Sequence, residues 1–221
     1  MTIQEAIRAR HSVRQYQDRP LEPETAAALE AMIDEINREA GLHIQLVKNE
    51  PKAFSSMLAH YGNFRGVSNY LALVGPASDE LDERCGYYGE KLVLYAQTLG
   101  LNTCWVKLTY EKVPGAFEIR PGEKLVIVIA IGYGLTQGIP HRSKALEKLC
   151  RAEGDAPAWF QAGMEAVLLA PTAVNQQKFL FTLTENGVKA EAPRGACTMI
   201  DLGIAKYHFE IGAGKDHFNW I

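Results

Sequence analysis

The chain has 221 residues, 47% of them hydrophobic, and a formal net charge of −3. A chain of this length buries about 70% of its unfolded surface, so we expect one domain or two closely merged lobes. A pI near 6.1 argues against broad binding to nucleic acid or to an anionic membrane, because both need a basic surplus spread over a face.

The cysteines and histidines lack the spacing of a metal site. The four cysteines form no Cys-x-x-Cys pair, and the six histidines are scattered along the chain. We therefore expect reduced thiols and no metal. The N-terminus shows no signal-peptide pattern, and no apolar run approaches the roughly 18 residues of a membrane span, so we expect a soluble cytoplasmic protein.

The first part of the chain alternates helices and strands. Thr2 and Glu5 form a capping box that predicts a short first helix. Apolar residues from Leu29 to Ile36 recur with helical spacing before Gly41, which is typical of an amphipathic helix with a glycine stop. Strands are predicted next over 43–47 and 70–74, with a helix over 54–61 between them.

A long helix is predicted over 80–99, although it contains Gly86 and Gly89. Each glycine costs a helix about 1 kcal/mol relative to alanine. Either another backbone or a flat ligand approaches closely there, or the helix begins near Gly89. Strands follow over 103–108 and 124–131, and the second should be central because it is apolar on both faces.

The C-terminal part begins with a short helix over 145–149 and a possible linker over 153–157. A helix then runs to Pro171, strands over 178–184 and 188–192 form a hairpin around Asn186-Gly187, and a last helix from Ile200 is halted by glycines at 212 and 214. The whole predicts an α+β fold, with a mixed, mainly antiparallel sheet flanked by helices in two merged lobes. We place a core at 1–152 and a C-terminal extension, packed on it, at 153–221.

Two basic clusters are candidates for an anion site. Arg10, Ser12 and Arg14 lie where the first helix ends, so guanidinium forks and a hydroxyl can converge on a phosphate. The alternative is a solvated basic face. Arg142 and Lys144 form a second cluster after the strand over 124–131.

Standard catalytic motifs are absent from the sequence. There is no Gly-x-Ser-x-Gly elbow, no His-Glu-x-x-His, no complete P-loop and no third glycine after Gly132-x-Gly134 for a dinucleotide site. We assign no catalytic side chain. This pattern fits an enzyme whose cofactor carries the reaction.

Four segments together resemble the nitroreductase family of FMN-dependent flavoenzymes. Arg10-His-Ser12-Val-Arg14-Gln-Tyr16 resembles its N-terminal Arg-x-Ser-x-Arg/Lys-x-Phe segment, and 89–106 resembles the helix and strand beside the flavin. The strand ending in Ala130-Ile-Gly-Tyr-Gly134, followed by Arg142-Ser-Lys144, resembles the closing strand and distal phosphate contacts. The resemblance therefore implies a nitroreductase-like α+β fold.

The fourth segment, Ala170-Pro-Thr-Ala-Val-Asn175-Gln-Gln177, resembles the family's Ala-Pro-Ser/Thr-x-x-Asn-x-Gln motif. The family usually carries this motif soon after the second helix, whereas here it lies in the C-terminal extension, and Lys178 replaces the usual proline. The chain thus resembles a divergent nitroreductase-like subgroup in which the motif is displaced.

The resemblance implies FMN as the cofactor and assigns its contacts. Arg10, Ser12, Arg142 and Lys144 would bind the phosphate, while Arg14 would reach the isoalloxazine near N1 and O2. Asn175 would pair with the pyrimidine edge or order a neighbouring loop. Thr172 and Gln177 are further candidate contacts. The alternative for Gln177 is that its amide only forms hydrogen bonds with the loop backbone. Arg8 is assigned to solvent or to a salt bridge.

The resemblance also implies an activity. NAD(P)H would deliver hydride to flavin N5, and an electron-poor acceptor such as a nitroaromatic or a quinone would then be reduced, in a homodimer with flavin at the subunit interface. Three alternatives stay open: a flavin-binding carrier or sensor without turnover, another reaction of reduced flavin, and a nucleic-acid contact, which the acidic pI opposes.

Overall fold

The computed structural model describes residues 1–152 and 154–221 and has the α+β fold that the sequence predicts. The helices are α1 (Ile3–Ala9), α2 (Pro23–Ala40), α3 (Met57–Tyr61), α4 (Leu81–Thr98), α5 (Ala158–Val167) and α6 (Thr198–Ala213). The strands are β1 (Gln45–Val47), β2 (Tyr70–Pro76), β3 (Asn102–Val106), β4 (Glu123–Gly132), β5 (Cys150–Ala152), β6 (Leu180–Thr184) and β7 (Gly187–Glu191).

The chain divides into two compact units. The four-strand unit comprises Ala9–Leu81 and Leu92–Ile139, and the three-strand unit comprises Met1–Arg8, Asp82–Lys91 and Pro140–Ile221. The predicted boundary lies between residues 152 and 153. Glu153, which is also the first residue of the predicted linker, lies outside the described residues.

The described strands form two sheets, which corrects the single sheet that the sequence led us to expect. Apolar alternation predicts that a segment is extended but does not identify its hydrogen-bonding partner. Two further differences lie at the start of the second sheet. Residues 146–148 form only one turn of 3-10 helix, and β5 was not predicted at all.

The four-strand unit contains an antiparallel sheet in the order β1-β2-β4-β3. The predicted central position of β4 is confirmed, since it pairs with β2 on one side and β3 on the other. Ile129 faces Leu71 on β2 and Trp105 on β3. Tyr70, Val74, Val128 and other buried side chains form the apolar cluster on this sheet.

The three-strand unit pairs β6 with β5 in parallel and with β7 as a hairpin. The two-residue connection at 185–186 matches the predicted tight turn. Phe181 on β6 packs on Phe209 of α6, with ring centroids 5.2 Å apart, and Phe209 also meets Phe160 of α5 at 5.5 Å. Aromatic packing therefore joins the sheet to both helices of this unit.

Local signals explain where several helices begin and end. The capping box is present, because the Glu5 N–H donates to Thr2 Oγ1 and the Thr2 N–H donates to Glu5 Oε2. Gly41 ends α2 in the left-handed region at φ 59°. The last helix runs through Gly212 and ends at Gly214, whose φ is 78°.

Gly86 and Gly203 permit a close crossing of α4 and α6 within the three-strand unit. A Cβ on Gly203 would overlap the carbonyl oxygen of Glu83, and a Cβ on Gly86 would overlap that of Ile200. The close backbone approach predicted for Gly86 is therefore confirmed. The alternative start of α4 near Gly89 is wrong, because the helix begins at Leu81.

An ion-paired cluster at the edge of the four-strand unit surrounds Glu123. Its Oε2 atom lies 2.9 Å from His43 Nδ1 and accepts a hydrogen bond from the Arg120 N–H at 2.9 Å. Burial raises the pKa of Glu123, but the His43 and Arg120 contacts outweigh it and leave the pKa below its usual value. The ionised carboxylate therefore favours the folded state.

We expect Gly203→Ala to destabilise the protein by about 2–3 kcal/mol, because the new methyl group forces two helix backbones apart. Chemical denaturation measures this change. Gly195→Ala is the control, since its Cβ would meet only Thr198 side-chain atoms, the nearest at 3.2 Å. Equal effects of the two substitutions would contradict the role given to the crossing.

We expect Glu123→Gln to lower the melting temperature near neutral pH, and we expect the difference from the natural protein to shrink in acid. A carboxyl group with a lowered folded-state pKa stabilises above its unfolded pKa of about 4.3, and this contribution is lost as the pH falls through the folded value. Thermal melts from pH 7 to pH 3 test this. Glu118→Gln, at an exposed carboxylate of the same cluster, should have the smaller effect.

Candidate functional site

Backbone hydrogen bonds fix residues 12–17 of the predicted arginine segment in the four-strand unit. Residues 12–17 form isolated bridges to neighbouring chain segments rather than a regular strand. The Val13 N–H donates to the Thr103 carbonyl on β3 at 3.0 Å, and the Tyr16 N–H donates to the Arg65 carbonyl at 2.9 Å. Three further backbone bonds join Arg65 to Arg14, Leu135 to Gln15 and Gln17 to Tyr133.

Three predicted side chains of this segment act on the thiol of Cys104 on β3. Arg10 is buried, with 3% of its surface exposed, Ser12 is half-buried and Arg14 is exposed. Burial raises the pKa of Cys104, whereas the Arg14 charge, a hydrogen bond with Ser12 and the Arg10 charge act to lower it. The structure thus brings Arg10, Ser12 and Arg14 together in one basic cluster.

Arg14 presents a cation at the surface of this cluster. Its guanidinium carbon lies 6.0 Å from the centroid of the Phe64 ring. Among residues 1–152 and 154–221, no acidic side chain forms an ion pair with it. Its charge is therefore available to an anionic or electron-rich ligand.

Asn102 is a buried residue of this region that the sequence reasoning missed. Its Oδ1 accepts a hydrogen bond from the Gly134 N–H, and its Nδ2 donates to Gln137 Oε1, both at 3.0 Å. The loop that Asn102 fastens also passes close to the arginine segment, since a Cβ on Gly138 would lie 3.0 Å from the Ser12 carbonyl oxygen. A polar residue at the start of an apolar strand was the available signal.

The three-strand unit holds the other predicted residues, and Lys144 and Gln177 are joined there. Lys144 Nζ donates to the carbonyls of Gln176 and Gln177 at 2.7 and 2.9 Å, and its backbone N–H donates to Gln177 Oε1 at 2.7 Å. Gln177 is 1% exposed, and its Nε2 has no hydrogen-bond partner among the described residues. The side-chain oxygen of Gln177 therefore accepts a backbone hydrogen bond, while its side-chain nitrogen makes none among the described residues.

Asn175 and Thr172 also make contacts that order the loop. Asn175 Nδ2 donates to the Arg142 carbonyl at 2.7 Å, and Thr172 Oγ1 accepts from the Gln177 N–H at 3.2 Å. The structure thus brings Arg142, Lys144, Thr172, Asn175 and Gln177 into one group. The Arg142 guanidinium itself has no ion pair among the described residues.

The backbone of the loop 172–177 is strained. Val174, Asn175 and Gln177 have φ values of 46°, 55° and 40°, in the left-handed region that favours glycine. Each such residue costs about 1–2 kcal/mol. Val174 is β-branched and nevertheless 97% exposed, so packing of its own side chain does not offset this strain.

Asp201 of α6 stabilises this strained loop through hydrogen bonds, and it is a second residue that the sequence did not predict. Its Oδ1 accepts from the Ala173 N–H at 2.9 Å, and its Oδ2 accepts from Gln176 Nε2 at 2.6 Å. Burial raises the pKa of Asp201, and these two hydrogen bonds act in the opposite direction. Carboxylates are common in the first turn of a helix, so the sequence carried no signal for a loop contact.

Two absences apply to the described residues. No helix formed by them is long and apolar enough to span a membrane. Within the same residues, no group of three or more His, Cys, Asp or Glu side chains is placed to hold a metal ion.

Solved structures share the fold of this chain. A "putative nitroreductase" from Thermotoga maritima is 23% identical with a TM-score of 0.66, and the match covers 98% of this chain and 85% of that one. One from Desulfovibrio desulfuricans, solved in complex with FMN, is 20% identical with a TM-score of 0.53 over 71% of this chain and 98% of its own. Another FMN complex, from Exiguobacterium sibiricum, is 14% identical with a TM-score of 0.53, covering 67% and 95%.

A search of curated proteins found no match. A family model described as "Putative TM nitroreductase" matches residues 2–213, which is nearly the whole chain. The chain therefore belongs to this nitroreductase family.

Proposed function

We propose that the protein binds FMN and uses it to pass electrons from NAD(P)H to an electron-poor acceptor, such as a nitroaromatic or a quinone. The observation that carries the proposal is the basic cluster of Arg10, Ser12 and Arg14 that acts on the Cys104 thiol, in a chain whose residues 2–213 match a nitroreductase family. Relatives of the same fold solved in complex with FMN support it.

The residues present fit the chemistry of this cofactor. A buried guanidinium and a hydroxyl, from Arg10 and Ser12, suit a phosphate dianion, which accepts both charged and neutral hydrogen bonds. The exposed cation of Arg14 suits the electron-rich pyrimidine end of the ring. As a separate proposal for the three-strand unit, Gln177 Nε2 is a buried donor without a partner among the described residues and suits a ring carbonyl.

When bound, FMN would accept hydride at N5 and pass electrons to the acceptor. Arg14, held near N1 and O2, would stabilise the negative charge of the reduced ring and so raise its reduction potential. No side chain of this chain is assigned to donate or remove a proton.

We propose further flavin contacts from the three-strand unit, at Arg142, Lys144, Thr172 and Asn175. Lys144 has three ammonium hydrogens and uses two of them on loop carbonyls, so one remains for an anion. The Asn175 Oδ1 atom is an acceptor for a ring N–H. Each of these contacts is a proposal separate from that for Arg10, Ser12 and Arg14, as is the expected homodimer, which analytical ultracentrifugation would test.

We expect the purified protein to be yellow, or to take up added FMN, with the visible absorption of bound flavin. Anaerobic addition of NADH and then NADPH should bleach this absorption, and an added nitroaromatic or quinone should restore it. A colourless protein that takes up no FMN overturns the proposal. Bound flavin that neither dinucleotide bleaches would instead indicate a carrier or sensor.

We expect Arg10→Ala to weaken FMN binding by about 10- to 100-fold, because a charge-assisted phosphate contact is lost. Arg10→Lys should lose less, since it keeps the charge but not the bidentate fork. Equilibrium titration of the apoprotein, followed by flavin fluorescence, measures both.

Arg8→Ala is the matched control, because Arg8 is exposed in the last turn of α1. It should change FMN affinity less than twofold, an upper bound of about 0.4 kcal/mol at 1.4 kcal/mol per tenfold. Thermal melts of each variant separate a loss of binding from a loss of folding. Equal weakening by Arg8→Ala and Arg10→Ala would refute the assignment of Arg10 to the phosphate.

A further inference from the structure

The loop 172–177 needs an external hold, because its backbone would relax without one. Three of its six residues have positive φ and none of these is glycine, while the tip residue, Val174, is 97% exposed. Left-handed conformations of such residues persist only where surrounding contacts over-determine them.

Two charged side chains add to the contacts of Thr172 and Asn175 described above. Gln176 Nε2 also donates to the Ala196 carbonyl at 3.0 Å. Lys144 donates to the carbonyls at 176 and 177, near the end of the loop. Asp201 accepts from the Ala173 N–H near its start and from the Gln176 side chain near its end. Asp201 thereby connects both ends of the strained stretch to α6.

Burial makes the Asp201 contacts strong. The residue is 2% exposed, and each of its carboxylate oxygens accepts a hydrogen bond. A hydrogen bond to a charged group is stronger when water does not compete for it. Replacing the carboxylate by an amide would leave one oxygen for Ala173 and turn an NH2 group toward the NH2 of Gln176.

We propose that Asp201 is a positioning residue for the ligand site: acting through Gln176, it fixes the loop in the conformation that presents the amides of Asn175 and Gln177. This inference rests on the proposed function, in which those two amides contact the flavin ring. Asp201 itself touches no ligand. Its contribution is to the geometry and the rigidity of the loop.

The first test measures the loop without any ligand. We expect Asp201→Asn to speed amide hydrogen exchange across residues 172–177 by about tenfold, because the loop opens more often once a charged hydrogen bond is lost. Asp216→Asn is the control, because it removes the same charge in the short turn 215–217 of the same unit. Unchanged exchange in Asp201→Asn overturns the proposal.

The second test is a double-mutant cycle in the FMN-loaded protein. Asp201→Asn and Gln176→Ala should each weaken FMN binding by about tenfold, and the double variant should lose well under the roughly hundredfold that additive effects would give. Some further loss beyond Asp201→Asn is expected, because Gln176→Ala also removes the hydrogen bond to the Ala196 carbonyl. Additive effects would show that Asp201 does not act through Gln176 and would overturn the proposal. Gln176→Ala keeps the test decisive if Asp201→Asn fails to fold.

The reduction potential of the bound flavin distinguishes positioning from simple stability. We expect Asp201→Asn to make the midpoint potential more negative, because misplaced amides stabilise the reduced ring less, and we expect Asp216→Asn to leave it unchanged. An unchanged potential and FMN affinity in Asp201→Asn overturn this inference while the proposed function stands. If the natural protein takes up no FMN, the proposed function fails, and hydrogen exchange alone decides whether Asp201 holds the loop.

Discussion

The backbone hydrogen bonds of residues 12–17 are the constraint on which the basic cluster of the four-strand unit depends. This segment is not a full strand, so its N–H and C=O groups must find partners one by one. Residues 103, 65, 133 and 135 supply them. Residue 103 lies on β3, and residues 133 and 135 follow β4, so the pairing of β4 with β3 also positions Ser12 and Arg14.

The three-strand unit differs, because it contains the loop 172–177, whose positive φ angles are unfavourable for non-glycine residues. Close crossing of α4 and α6 at Gly86 and Gly203 fixes the axis of α6, and α6 carries Asp201. Aromatic packing of Phe209 against Phe160 and Phe181 fixes the same helix from its other end. The loop 172–177 is therefore supported by a helix that is itself tightly packed, whereas the arginine segment of the four-strand unit depends on sheet pairing.

The sequence predicted elements well where a single local rule decides the outcome. The capping box at Thr2, the stop at Gly41, the central strand over 124–131 and the hairpin at Asn186 each follow from one such rule. The second sheet was not predicted, because the pairing of β5 with β6 joins segments 31 residues apart, as Cys150 with Phe181, and depends on tertiary packing. The grouping of Arg10, Ser12 and Arg14 was predicted because they are neighbours in sequence, whereas Asn102 and Asp201 act on segments about 30 residues away.

The lysine that follows Gln177 gives a physical reason for the Lys144 and Asp201 contacts. A proline after Gln177 would restrict the backbone of Gln177 to extended conformations with negative φ, and here Gln177 has φ 40° and is followed by Lys178. Without that restriction, the end of the loop must be fixed by side chains. The Lys144 ammonium binds its last carbonyls, and the Asp201 carboxylate binds Gln176 and the start of the loop. A buried carboxylate and an exposed lysine thus supply conformational control of the kind that a proline ring would exert, and they allow a left-handed backbone that the ring would forbid.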